Sequence, residues 1–247
     1  MIKLMTDAGN RYTKLAVFQG KSILNWTSVK NEELSRIFIS EWIKRGEKPE
    51  FVFISSVSAS ENQLRGFFDS DTCQVLTRED INTYPLEIRY DTPLTLGFDR
   101  IAAACGAYSL YGGSPLLVID AGTSMTVDFV SENGMYSGGA ISPGLDMRFR
   151  ALHEFTGRLP LGTPDTTGSI TGTSTMGSIN AGAYMGMVME LQGFINRYEL
   201  TYKNLKIIMT GGDTEMLQMQ LKKTIFAEPN LVLIGLNEIL DNQIAHR

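Results

Sequence analysis

Two short segments hold the residues best suited to handling a phosphate chain. Residues 4–18 read LMTDAGNRYTKLAVF and residues 117–130 read LVIDAGTSMTVDFV. Laid over one another, they put Asp7 on Asp120, Ala8 on Ala121, Gly9 on Gly122 and Thr13 on Thr126. A phosphate needs backbone N–H donors that can come close, and Gly9 and Gly122 allow this by lacking a Cβ. Asn10, Thr13 and Thr123 add neutral side-chain donors. Asp7 and Asp120 suit a cation, or waters around one, since Mg²⁺ takes one or two carboxylates and keeps several waters. Lys14 reads two ways, as a phosphate partner or as a solvent-facing residue by strand alternation.

A second constellation is YDTPLTLGFDRIAAACGAY, residues 90–108. Gly97 breaks the chain, and Asp99-Arg100 opens an alanine-rich helix. Asp99 fits a helix cap that complements the dipole. It also fits a general base beside an anion-binding guanidinium, as phosphoryl transfer to an alcohol requires. In GGAISPGLDMRFRALHEFTGRLP, residues 138–160, the glycines bracket a strand-to-helix turn that can approach a ligand. Arg148 and Arg150 read there as a solvated helix face, and His153 as structural. Gly182 and Gly186 stand four apart on a methionine-rich helix, which suits core packing or a subunit interface equally. The Thr-Gly-Gly-Asp stretch, residues 210–213, offers a turn for a nucleoside. Neither GxxxxGK[ST], nor GxGxxG, nor a protein-kinase catalytic loop occurs, so the duplicated hairpin is the one candidate phosphate cradle.

Each Asp-Ala-Gly segment is an apolar strand, a turn and a second strand, which predicts a β-hairpin. Behind the first, the pattern predicts a strand at Ser22–Thr27 and a helix carrying Leu34, Ile37, Phe38 and Ile43, with Asn31 as its N-cap. A strand at Phe51–Val57, a helix at Glu61–Phe68 and a strand at Cys73–Leu76 follow. Behind the second come a strand at Gly134–Ala140, a helix at Leu145–Phe155 and a long helix at Thr175–Tyr198. A strand at Leu205–Met209, a helix at Thr214–Lys222, a strand at Leu231–Ile234 and a closing helix at Asn237–His246 complete the chain. Both halves are three meandering strands followed by alternating helices and strands, an order that predicts α/β lobes with mixed sheets. The Gly-Gly-Ser-Pro break near Tyr111–Pro115 divides them into residues 1–112 and 113–247, with a cleft expected between the two hairpins.

The 247 residues are 43% hydrophobic and 20% charged, ordinary for a globular enzyme. A net charge of −5 supplies no basic face for nucleic acid. Cys73 and Cys105 make neither a disulfide framework nor a metal knuckle, and read as buried thiols. With no leader pattern and no long apolar run, the expectation is a cytoplasmic protein that does not enter membranes.

DAGNRYTK, GFDR, DAGTSMTVD, GGAISPGLDMRFRALHEFTGRLP and MTGGD, in that order, resemble the motifs of the type III pantothenate kinases, and the resemblance covers nearly the whole chain. It implies two ribonuclease-H-like, actin-like ATPase lobes, a homodimer, and transfer of phosphate from ATP to pantothenate. Mg²⁺ would accompany ATP, and a monovalent cation, K⁺ or NH₄⁺, would bind at Asp120. Asp7, Ala8, Gly9, Asn10, Arg11, Tyr12, Thr13 and Lys14 would hold the ATP phosphates, with Thr123 also on ATP. Asp99 would be the base, and Tyr90, Gly97, Phe98, Asp99, Arg100 and Thr175 would line the pantothenate site. Two positions depart from the family pattern. Arg11 replaces a usual Thr, and Phe98 replaces a residue that is often small, which would narrow or reshape the pantothenate pocket. A likeness to Bvg accessory factors leaves a nucleotide-binding regulator as the alternative, beside a kinase for another small alcohol.

Overall fold

The computed structural model describes residues 1–43, 48–56, 61–68, 73–78 and 83–246. They form two compact units, Met1–Leu110 with Asn230–Arg247, and Tyr111–Pro229.

The first unit is built on β1 (Ile2–Ala8), β2 (Tyr12–Gln19), β3 (Ser22–Lys30), β4 (Phe51–Ser56) and β5 (Gln74–Thr77), in the order β3-β2-β1-β4-β5. The hairpin neighbours pair antiparallel, whereas β4 lies parallel to β1 and to β5. Those parallel pairings need crossovers, which α1 (Arg36–Ile43) and α2 (Glu61–Arg65) lie on. Ile2, Leu4, Leu15, Val17, Val52 and Ile54 form a core with Ile39 of α1 and Leu64 of α2. The expected strand end at Val57 lies outside the described residues. A short strand β6 (Glu87–Ile88) and a 3₁₀ turn at Pro93–Thr95 lead into α3 (Phe98–Tyr111).

Across the sheet, Lys3 is fully buried and pairs with Asp241 at 2.6 Å. Asp241 belongs to α8 (Leu231–Ala245), which packs on β1, β2 and β4. The first turn of this helix is Leu231–Ile234, where the apolar run predicted a strand. Four apolar residues in a row do not distinguish a buried strand from a helix buried on most sides. Leu231, Val232, Leu233, Leu236, Ile239 and Leu240 are all buried, so α8 lacks a polar stripe in that stretch. The closing segment therefore joins the first unit, whereas the expected division kept it with the second half.

The second unit orders its strands β11-β10-β7-β8-β9, with β7 (Leu116–Ala121), β8 (Ser124–Val130), β9 (Met135–Pro143), β10 (Lys206–Thr210) and β11 (Ile225–Ala227). Leu117, Ile119, Met125 and Val127 pack against Phe149 of α4 (Leu145–Glu154) and against Met187, Leu191 and Ile195 of α6 (Gly186–Thr201). The predicted long helix is three pieces: α5 (Thr175–Asn180), one π-helical turn at Ala181–Met185, and α6. The helix α7 (Thr214–Leu221) ends at Lys222, which takes a left-handed conformation.

Candidate active site

The first Asp-Ala-Gly turn sits between β1 and β2. Gly9 N–H donates to the Tyr12 carbonyl at 3.0 Å, and a Cβ on Gly9 would stand 3.2 Å from that oxygen. Asn31, predicted as a helix cap, instead braces this turn. Its Oδ1 accepts from the Thr13 hydroxyl and its Nδ2 donates to the Gly9 carbonyl, both at 2.9 Å. Ser35 caps α1 in its place, accepting from Phe38 N–H. Thr13 and Ala8 are buried, while Asn10, Arg11 and Tyr12 are exposed at the tip. Sequence order alone could not find Asn31, because its contacts reach back across two strands.

Register places Lys14 directly across from Asp7 on β2, and Ser55 beside it on β4. Residues paired in this way share a face of the sheet. Lys14 is half-buried and stands across the hairpin from a carboxylate.

The second turn is tighter. Gly122 N–H donates to Ser124 O at 3.2 Å, and Asp120 faces Thr126 across the hairpin with Thr210 of β10 on its other side. The turn is enclosed by glycine. A Cβ on Gly144 would lie 2.2 Å from the Gly122 carbonyl, and one on Gly211 would lie 2.4 Å from Ala121 O and 2.6 Å from Asp120 Oδ1. Asp120 thus lies on one face of the sheet with Thr126 and Thr210, beside backbone that only glycine lets come so close. Thr123 is exposed at the tip. Asp213 donates its N–H to Ala121 O at 3.1 Å. Burial, and then the nearby Asp146, push its carboxyl above the usual 3.8. Among the described residues no three His, Cys, Asp or Glu side chains gather into a group that could hold a metal by themselves.

Asp99 lies in the first turn of α3, where its Oδ1 accepts from Arg100 N–H at 2.9 Å. The carboxylate folds over Gly97, whose missing Cβ would come within 2.5 Å of that oxygen. Any side chain at 97 would displace Asp99. Arg100 is 6% exposed, with its guanidinium carbon 5.9 Å from the Tyr90 ring centre. The ring of Phe98 is buried edge-on against Phe53 at 5.7 Å, with Tyr84 at 6.2 Å. Its bulk is thus taken up by the core of the first unit. Tyr90, Gly97, Phe98, Asp99 and Arg100, which the resemblance groups, all belong to the first unit.

Thr175 is exposed at the start of α5, which Ser174 caps by accepting from Gly177 N–H at 3.1 Å. It lines a cavity of about 710 Å³ with Leu152, Leu159, Thr173, Ser178 and Ile179. Asn180, at the end of α5, exchanges hydrogen bonds with the backbone of Asp165 at 2.8 and 2.9 Å. Arg148, expected in solvent, is instead fastened to Pro143 O, Ser142 Oγ and the Glu190 carboxylate, tying α4 to β9 and α6. The Arg150 side chain stays half-exposed, paired with Glu154 one turn on.

The sequence model of the type III pantothenate kinases matches residues 3–197. A type III pantothenate kinase of Christiangramia forsetii is 40% identical over 243 residues, 97% of this chain and 98% of that one. Among solved structures, a conserved Baf-family protein of Campylobacter jejuni superposes with a TM-score of 0.65 at 20% identity, covering 98% and 99% of the two chains. A glucokinase of an Antarctic psychrotroph does so with a TM-score of 0.52 at 12% identity, covering 98% and 99%. At such identities the likenesses show the fold alone, the α/β architecture of the actin-like ATPases and sugar kinases. The full-length match in sequence goes further: the chain belongs to the type III pantothenate kinase family.

Proposed function

We propose that the chain transfers the γ-phosphoryl group of ATP to the primary hydroxyl of pantothenate, the first step toward coenzyme A. The observation that supports this most is identity along the whole length to pantothenate kinases, with Asp7, Asp99, Arg100 and Asp120 all present. The backbone of Asp7–Lys14 and the Lys14 ammonium hold the ATP phosphates, and Thr123 contacts the nucleotide. Asp99 accepts the proton of the attacking hydroxyl while Arg100, Gly97, Phe98 and Tyr90 hold the acceptor, which Thr175 completes. Phosphoryl transfer asks little covalent chemistry of a protein, so positioning and charge supply most of the rate. Mg²⁺ arriving with ATP, and K⁺ or NH₄⁺ at Asp120, would neutralise the charge that spreads over the phosphate oxygens. A homodimer in the cytoplasm completes the reading. Reducing conditions there suit the free thiols Cys73 and Cys105. Among the described residues no helix is long and apolar enough to cross a membrane.

The test is ADP and phosphopantothenate formation from MgATP and pantothenate, with K⁺ present or replaced by a bulky organic cation. Pantothenate-dependent turnover that needs K⁺ is expected. Asp99→Asn should keep the fold and lose about 10²–10⁴-fold in kcat. Near-wild-type kcat in that variant would remove Asp99 from the role of base. ATP binding without pantothenate-dependent ADP release would favour another acceptor or a regulator.

A further inference from the structure

Arg78 follows β5, outside every motif noted in the sequence, yet it reaches the segment that carries Asp99. Its Nη1 donates to Leu96 O at 2.8 Å and its Nη2 to Pro93 O at 3.1 Å. Its guanidinium carbon lies 5.6 Å from the Phe98 ring centre. The two carbonyls bracket the 3₁₀ turn, whose own closing bond runs from Thr95 N–H to Thr92 O. The first bond of α3 uses Gly97 O, accepting from Ile101 N–H at 3.3 Å. Arg78 therefore holds the backbone just before Gly97 through two carbonyls and the residue just after it through a ring.

We propose that Arg78 is a positioning residue for the acceptor site, a planar clamp that fixes the Pro93–Arg100 segment and so aims the Asp99 carboxylate. The inference rests on the reading of Asp99 as base. A fork of two N–H donors matches two carbonyls in one plane while the face of the same group covers an aromatic ring. A lysine supplies one point charge and cannot do both. Phe98, where the family often has a small residue, gives the clamp its floor. Its ring also meets Phe53 of β4 edge-to-face at 5.7 Å, which ties it to the sheet.

The test compares Arg78→Ala, Arg78→Lys and Asp99→Asn with the parent for kcat, KM for pantothenate, KM for ATP and melting temperature. Each assay is run with and without dilute guanidinium chloride. Misaiming a catalytic group by about 1 Å costs up to about 100-fold in rate. The expected result for Arg78→Ala is a kcat loss of about 10- to 100-fold, a raised KM for pantothenate, an unchanged KM for ATP, and partial rescue of kcat by guanidinium. Arg78→Lys should resemble Arg78→Ala, and Asp99→Asn should show no rescue. The clamp is overturned if Arg78→Ala keeps kcat within two-fold of the parent. It is equally overturned if activity falls only in step with melting temperature and guanidinium restores nothing, or if both KM values rise together. Full turnover in Asp99→Asn would remove the base assignment, an outcome distinguishable from failure of the clamp.

Discussion

Lys14 stands across from Asp7, whereas Thr126 stands across from Asp120. The two hairpins align position for position through the turn, but the second pairs one residue tighter, so Asp120 faces the counterpart of Thr13 rather than that of Lys14. That difference suits the proposed roles, a phosphate chain beside Lys14 and a cation at Asp120. The duplication was legible in the Asp-Ala-Gly letters; the slip was not, because register is set by turn hydrogen bonds that the letters do not display. Gly97 was legible for the same reason, as a break before a helix, while Arg78 was invisible because its partners lie across an irregular stretch with no period. Asp213 gives a pH effect. Its folded-state pKa lies above its unfolded value, so the folded protein binds the extra proton over that window. Stability therefore falls as pH rises through the window and stays lower above it. Asp213→Asn is expected to melt above the parent at neutral pH, with the two curves converging as pH falls into the carboxylate range. A constant offset at all pH values would contradict this.

At the scale of elements, α3 and α8 cross with almost nothing between them. A Cβ on Gly235 would lie 1.7 Å from Ala102 O, and one on Gly106 would lie 2.4 Å from Leu231 O. Because α3 carries Asp99 in its first turn, this crossing also sets where that residue, the proposed base, stands. Overpacking a close contact typically costs about 1–3 kcal/mol, occasionally more. A backbone oxygen cannot step aside, so Gly235→Ala should reach at least the upper part of that range in urea unfolding. Gly193 in α6 has open space around it and is the control. There the same change should stabilise by about 0.5–1 kcal/mol, the ordinary gain of alanine in a helix. Amphipathic helices such as α1 and α4 were readable by period, and β10 as a short apolar run buried on both faces. The first turn of α8 was misread as a strand because burial on most sides erases the period.

For the whole chain, the first unit is made from both ends of the sequence. Lys3 in its first strand has no exposed side-chain surface and is held by Asp241, whose side chain keeps 31% exposure. Removing one partner of such a pair leaves a buried charge, which costs about 3–5 kcal/mol. Asp241→Ala is expected near the lower figure, since its carboxylate is partly wet already. Lys3→Met with Asp241→Ala should recover much of the loss in chemical denaturation. A double variant no more stable than Asp241→Ala alone would show that the pair is not the cause. The two-lobe α/β class was legible because each half repeats the same order of elements. That the last helix crosses back was not, since no local pattern records which sheet a helix will cover.

That return has a consequence for synthesis. The strands of the first sheet leave the ribosome early, but the helix that covers their Lys3 face is made last. The second unit is continuous from Tyr111 to Pro229 and can close its own core before then. Domains mature as units during translation, so here the half encoded first finishes second. Until α8 arrives, the part of the Lys3 face that it covers on β1 and β2 stays open on the nascent chain, and chaperone engagement should concentrate there.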